Sequence, residues 1–285
     1  MSLNIATDPY YQFPYAGGGF YLSPTNEMLN GSNPASRQQN SPLPTGGVKA
    51  MILAAGLGTR LKPFTDAHPK ALALVNGKSL LQRNIEYLQQ YNIYDVIINT
   101  HHFASQIEES VFSNNGWGSK ITISYEEQVL ETGGGLKYAA PFFKDSDYFV
   151  MMNADVLTNM PLNKMIAHHI QQQPLATLAT SNRSTSRYLL FDDENNLCGW
   201  QNINSGQVKM ARPAENYTQQ AFSGIHVISN RFFDCLTAFN GKFSIIDVYL
   251  RYAGNNIIQA FRHNGYLFVD VGKPESITIA ESLFR

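Results

Sequence analysis

The sequence predicts an α/β fold on a mixed, mainly parallel sheet, and two observations carry that reading. Between residues 48 and 153 short apolar runs alternate with segments of helical periodicity, the pattern of consecutive βαβ units. The runs are nearly continuous in apolar residues, as strands buried on both faces require. Residues 48–54 form the first such run and end in Ala-Ala-Gly, a strand entering a turn. A helix follows over 79–90, with Leu80, Leu81, Ile85 and Leu88 on its apolar side and Ser79 as N-cap. Strands are predicted at 95–99, 121–125 and 148–152, and a helix at 103–112 carrying Ile107 and Val111. Another helix is predicted over 135–140, ended by Pro141. Strand-like stretches recur at 176–179, 188–191, 222–228, 257–260 and 266–269, and helical ones at 162–171, 231–238, 245–252 and 275–284. They read as a mixed extension of the same sheet.

Composition bounds the function. The chain has 285 residues, of which 44% are hydrophobic and 15% charged, enough to bury the core of one enzyme-sized domain. A formal net charge of -1 gives no global basic field and speaks against nucleic acid as a partner. Cys198 and Cys235 are far apart and lack metal-ligand spacing, so they read as thiols in a reducing cytosol. With no charged-then-apolar leader and no apolar run of bilayer length, the expectation is a cytoplasmic protein, not membrane-associated, as a monomer or small homo-oligomer. Residues 1–47 stand apart: they are rich in Tyr, Gly, Asn, Ser, Pro and Gln, with the turn dipeptides Asn30-Gly31, Asn33-Pro34 and Gly46-Gly47. They read as a low-complexity tail, mobile or loosely docked, ahead of a catalytic domain at 48–285.

Four segments carry chemistry. In LAAGLGTRLKPFTDAHPK, residues 53–70, a strand opens into the small-residue turn Ala55-Gly56-Leu57-Gly58-Thr59. Its backbone N–H groups can approach a phosphate or a base edge. Arg60 offers a planar fork for phosphate and Lys70 a point charge. There is no Gly-Lys-Ser/Thr ending for a Walker loop and no third glycine for a dinucleotide fingerprint. Met152-Asn153-Ala154-Asp155 and Phe268-Val269-Asp270-Val271-Gly272 each bring an acid to a strand. Two such carboxylates suit Mg²⁺, which takes few protein ligands and completes its shell with phosphate oxygens and water. In Leu130-Glu131-Thr132-Gly133-Gly134-Gly135, three glycines ahead of a helix start are expected to present free N–H groups as a wall of a base pocket.

Together these segments resemble the sugar-1-phosphate nucleotidylyltransferase family. The opening motif G-x-G-T-R-L-x-P-x-T-x-x-x-P-K is matched by Gly56 to Lys70 in order and spacing. The L-E-T-G-G-G loop, F-S-G-I-H-V-I-S from Phe222 and F-V-D-V-G from Phe268 point to its small single-domain branch. That branch holds the N-acetylmuramate 1-phosphate uridylyltransferases and mannose-1-phosphate guanylyltransferase-like enzymes. The resemblance implies a GT-A-like, Rossmann-like three-layer α/β/α fold and Mg²⁺-dependent joining of an NTP (UTP or GTP) to a sugar 1-phosphate. It implies that Leu53, Ala55, Gly56, Thr132 and Gly133 line the base pocket, with Gly58 and Thr59 in the nucleotide-binding turn. Arg60 would grip the β,γ-phosphates, Lys70 the α-phosphate, and Asp155 and Asp270 the metal. Glu131, Asn153, Ser223 and Gly224 would face the ribose or sugar. Many relatives carry Glu-Lys-Pro where this chain has Ala211-Arg212-Pro213, which leaves Lys209 and Arg212 as candidates for the acceptor phosphate. Two alternatives stay open: a non-sugar acceptor such as phosphocholine, and a non-catalytic nucleotide-sugar sensor. The pairs His101-His102 and His168-His169 make poor shared metal ligands, since neighbouring side chains diverge. Trp117 and Trp200 read as packing anchors.

Overall fold

The computed structural model describes residues 47–285; the tail reading for residues 1–46 lies outside the described residues. The first half is β1 (Lys49–Leu53), β2 (Leu74–Val75), β3 (Lys78–Ser79), α1 (Leu80–Gln89), β4 (Asp95–Thr100), α2 (Ala104–Ser113), β5 (Lys120–Tyr125), α3 (Glu131–Tyr138), β6 (Tyr148–Asn153) and β7 (Val156–Thr158). The second half is α4 (Leu162–Gln172), β8 (Ala176–Ser181), β9 (Arg187–Phe191), β10 (Leu197–Asn202), β11 (Gln207–Met210), β12 (Thr218–Ser229), α5 (Phe232–Leu236), α6 (Ile245–Tyr252), β13 (Ile258–Arg262), β14 (Phe268–Asp270) and α7 (Pro274–Leu283).

One ten-stranded sheet runs β11-β10-β9-β12-β6-β1-β4-β5, with β8 and β13 joined to it through β12. β6, β1, β4 and β5 are all parallel, as the βαβ alternation requires. The second half enters through β12, a long strand antiparallel to β6, β8 and β9. One cluster lies under α1, α2 and α4 and a second under α3, α5 and α6, which makes the three layers, and a third joins α7 to β14 and the loop after β1. None of the described helices is long and apolar enough to cross a membrane. Both cysteines are buried and free.

Local chemistry sets the elements that matter for the site. Ser79 caps α1 by accepting the Gln82 N–H at 3.0 Å. From the buried face of α1, Asn84 donates to the Ala154 carbonyl at 2.8 Å, which fixes the backbone beside Asp155. The helix expected over 135–140 begins earlier, at Glu131, and ends at Tyr138. Pro141 instead lies within a separate 3₁₀ turn, Ala140–Phe143. β10 and β11 form a hairpin absent from the sequence-based reading.

Two histidines in the core carry an acid-stability prediction. His226, bonded to the Tyr249 hydroxyl at 2.8 Å, is pushed down by burial to about 3. His169, between Thr177 and Ser229, is pushed down to about 4, by burial and then by the charges of His168 and Arg231. Above the ordinary pKa of about 6.5 neither folded nor unfolded chain is protonated at these sites. Below it the unfolded chain takes up protons that the folded one refuses. Stability therefore falls by about 1.4 kcal/mol per pH unit per histidine until the folded pKa is reached. Urea unfolding of His169→Gln between pH 6 and 4.5 is expected to show a pH slope smaller by about one proton. An unchanged slope would refute the assignment.

Candidate active site

The loop after β1 is folded by three short 3₁₀ turns, Thr59–Leu61, Phe64–Asp66 and Lys70–Leu72. Gly58 sits in the left-handed region at φ 62, where a Cβ would come within 2.9 Å of Thr65 and 3.0 Å of Lys70. The Thr65 hydroxyl donates to the Gly58 carbonyl at 3.0 Å. The missing side chain at Gly58 is what lets the loop fold back and return Lys70 to the end of β1.

The result is a cavity of about 450 Å³ at the carboxyl edge of the parallel strands, where open α/β sheets bind ligands. Leu53, Ala55, Gly56, Gly58, Thr59, Arg60, Lys70, Glu131, Thr132, Asn153 and Asp155 all line it. Lys70 is ion-paired with Asp155. Asp270 pairs with Val156 in the β7–β14 ladder, and the Val271 N–H donates to the Asp155 carbonyl at 2.8 Å, so the two acids lie on adjacent backbones. Asp270 is raised above the ordinary carboxylate range by desolvation and then by the Asp155 charge, against Lys70, Arg60 and Arg183. Much of Asp270 still faces solvent, so crowding by Asp155 rather than enclosure is the durable part of this effect. Gly272 permits the crowding: a Cβ there would lie 2.9 Å from the Asp270 carboxylate and 3.2 Å from the Arg60 guanidinium.

Two carboxylates that repel one another beside phosphate-sized space form a donor set that a divalent cation would neutralise. Among the described residues no group of three or more His, Cys, Asp and Glu could hold a metal. A cation here would therefore need phosphate or water oxygens to complete its shell.

Three residues of the sequence-based site lie behind the cavity wall. Gly133 is inside α3, not ahead of it, and its N–H donates to the Phe243 carbonyl at 3.0 Å. The Gly134 N–H points to the same carbonyl. The expectation of free glycine N–H groups is thus corrected. These glycines serve close packing, because a Cβ on Gly133 would lie 2.5 Å from the Phe243 ring. Ser223 is buried and bonded to His263 at 2.7 Å. Gly224, at φ 71, lies at the irregularity of β12, where a Cβ would meet the Asn153 amide at 2.7 Å. Arg212 is ion-paired with Asp192 outside the cavity, and Lys209 lines a second cavity.

The sequence-based reading missed Asn99, Glu126 and Arg183. Asn99 ends β4, accepts the Ala54 N–H at 2.8 Å and donates to Glu126 at 2.7 Å. Glu126 also accepts the Leu130 N–H at 3.0 Å. Its carboxyl is buried and lies above its ordinary range because of that burial. This chain of bonds joins the glycine turn to the Glu131 segment across the cavity floor. Both residues sit at the end of apolar runs, as Asp155 does, which was the available signal. Arg183 follows β8 in a polar stretch with no motif. It donates to the Phe222 carbonyl at 2.7 Å, stacks over Phe268 and feels the Asp270 charge. Its Nε is buried without a hydrogen-bond partner.

Residues 49–283 match the family model described as Nucleotidyl transferase. The chain belongs to this family. It is 28% identical over 242 residues, 82% of this chain and 95% of the relative, to N-acetylmuramate alpha-1-phosphate uridylyltransferase of Caulobacter vibrioides. The enzyme of the same name from Neisseria meningitidis is 39% identical over 114 residues, 40% of this chain and 49% of that one. Among solved structures, HddC from Yersinia pseudotuberculosis complexed with GMP-PN superposes with a TM-score of 0.68 at 24% identity, covering 84% of this chain and all of that one. This nucleotidyltransferase thus has the Rossmann-like α/β fold that the resemblance implied.

Proposed function

We propose that this nucleotidyltransferase condenses an NTP, UTP or GTP, with a sugar 1-phosphate to give a nucleotide-sugar and pyrophosphate. The observation that carries the reading is one cavity lined by Arg60, Lys70 and Asp155, with Asp270 on the backbone beside Asp155. The catalytic domain is residues 48–285. Leu53, Ala55, Gly56 and Thr132 face the base, Gly58 and Thr59 turn the backbone toward the phosphates, and Glu131 and Asn153 face the ribose or sugar. Arg60 holds the departing β,γ-phosphates and Lys70 the α-phosphate. The attacking group is a phosphate oxygen of the acceptor, already ionised at neutral pH, so no Ser, Cys or His nucleophile and no general base are needed. Catalysis reduces to aligning two anions in line and offsetting their repulsion. Asp155 and Asp270 are the residues that would hold Mg²⁺, which when bound neutralises charge on the phosphates. Arg183, which lines the adjoining cavity and feels the Asp270 charge, is the cation for the acceptor phosphate.

The test is pyrophosphate release with Mg²⁺, crossing the common NTPs with N-acetylmuramate, N-acetylglucosamine, mannose and glucose 1-phosphates. Release with one pair, abolished by EDTA, is expected. Silence across the grid, or release from the NTP without any acceptor, would overturn the reading. In the active pair, Arg183→Ala is expected to raise the acceptor KM by about 10- to 100-fold, the size of a charge-assisted hydrogen bond. A change confined to the NTP KM would move Arg183 out of the acceptor site.

A further inference from the structure

β12 enters three ladders, and all of them skip Ser223 and Gly224. It pairs with β9 up to Gln220, with β6 from Ile225 onward, and with β8 on either side of a register shift between Phe222 and His226. Side-chain contacts therefore matter more than the sheet for the shape of the strand at this point. The Phe222 carbonyl, at the start of the shift, accepts the Arg183 guanidinium at 2.7 Å. The next residue, Ser223, is bonded through its hydroxyl to His263 Nε2 at 2.7 Å. Arg183 lines a second cavity of about 310 Å³, which meets the first at Ser244.

A Ser–His pair can be a nucleophile and its base, but Ser223 is only 1% exposed and His263 2%, so no substrate reaches the hydroxyl. The pair is built to hold. The His263 N–H donates to the Thr180 carbonyl at 2.9 Å, which ties the residue to β8. Burial, joined by the Arg183 charge, keeps the imidazole below its ordinary pKa, so the ring is neutral at pH 7. Its Nδ1 is buried with no hydrogen-bond partner among the described residues, which makes the Ser223 bond the ring's one polar restraint there. His263 reaches Arg183 by two routes. Through Ser223 it fixes the peptide that carries the Phe222 carbonyl. Through its ring it packs on Phe268, at 5.6 Å between centroids, and the Arg183 guanidinium lies over that same phenyl ring at 5.2 Å.

We propose that Ser223 and His263 are positioning residues for the acceptor side of the reaction: their buried bond holds the skipped stretch of β12 in the shape that aims Arg183. This rests on the reading that Arg183 takes the acceptor phosphate. A guanidinium held at one carbonyl and one ring face is aimed before the acceptor arrives, and loss of that aim costs binding on the acceptor side alone.

Kinetics on the full chain, with the NTP and sugar 1-phosphate that release pyrophosphate, test it. Ser223→Ala removes the hydroxyl, and His263→Phe keeps a ring and removes the bond. Each is expected to raise the acceptor KM by about 10-fold, the size of a lost buried hydrogen bond, and to leave the NTP KM unchanged. In an Arg183→Ala background neither is expected to add anything, because both act through that residue. An unchanged acceptor KM in either folded variant overturns the proposal. So does an NTP KM that rises in parallel, or a further rise on top of Arg183→Ala, since a general loosening of the fold would give both. Where one variant does not fold, the other decides. If neither folds, the bond serves the fold as a whole and the positioning role is lost. A raised acceptor KM in Arg183→Ala with none in the pair variants would leave Arg183 in place and remove only this role. An unchanged acceptor KM in Arg183→Ala would remove the Arg183 assignment and this role with it.

Discussion

Replacing Asp155 with Asn is expected to lower kcat for pyrophosphate release by about 100-fold or more, the scale lost when a preorganised charge stabiliser is removed. The substitution keeps the shape of the side chain and removes one charge from a site where Lys70 and Asp270 both respond to it. Asp155 is partly exposed in the turn between β6 and β7, so the fold has little reason to change. Because Asp155→Asn also releases Lys70, the rate alone does not separate a metal ligand from a lysine-positioning group. The Mg²⁺ titration does. A metal ligand demands that half-saturating Mg²⁺ rise at least about 10-fold, as metal affinity falls when the shell is disturbed. A rate loss with an unshifted Mg²⁺ midpoint would make Asp155 a positioning residue for Lys70, and a near-normal rate would remove it from the mechanism.

The parts of this site legible in the sequence are those where chemistry and local structure share one signal. The apolar run at β1 followed by Gly56, Gly58, Arg60 and Lys70 announces a strand, a turn and a phosphate loop together. The runs ending near Asp155 and Asp270 announce a sheet edge and its acids. Legibility fails where the signal depends on a distant partner. The spacing of apolar residues in β12 gives a strand but not the direction of its neighbours, so the antiparallel half of the sheet was read only as an extension. β10 contains Gly199, which needs the absence of a Cβ because the Lys209 carbonyl would lie 2.8 Å from it; along the chain it reads as a strand breaker. Gly133 and Gly134 look like a loop by propensity, yet packing on the 241–245 segment recruits them into a helix. Arg183 owes its place to Phe222 and Phe268, some 39 and 85 residues away, and no local pattern encodes it.

The glycines also supply the second large effect, because two of them look alike in sequence and differ in their surroundings. A Cβ on Gly135 would lie 2.5 Å from the Glu126 carboxylate and 2.9 Å from the Asn99 amide, while a Cβ on Gly56 meets nothing within 4 Å. Gly135→Ala therefore forces apart a buried hydrogen bond that holds the cavity floor. Overpacking of about 1–3 kcal/mol and a carboxyl left short of a donor, about 1–3 kcal/mol, outweigh the gain of about 1 kcal/mol in helix propensity. A net loss of about 1–5 kcal/mol in urea unfolding is expected. Gly56→Ala, at an open and exposed position without a positive φ, is expected to leave stability within about 0.5 kcal/mol. It would instead weaken nucleotide binding, because its methyl group projects where the backbone must approach the ligand. The two substitutions separate a glycine that packs from a glycine that reads a ligand. If Gly135→Ala were silent in unfolding, the Asn99–Glu126 bond would not be the constraint that keeps α3 free of a side chain there. If Gly56→Ala bound nucleotide as tightly as the parent, the turn after β1 would contact the ligand less closely than the proposed site requires.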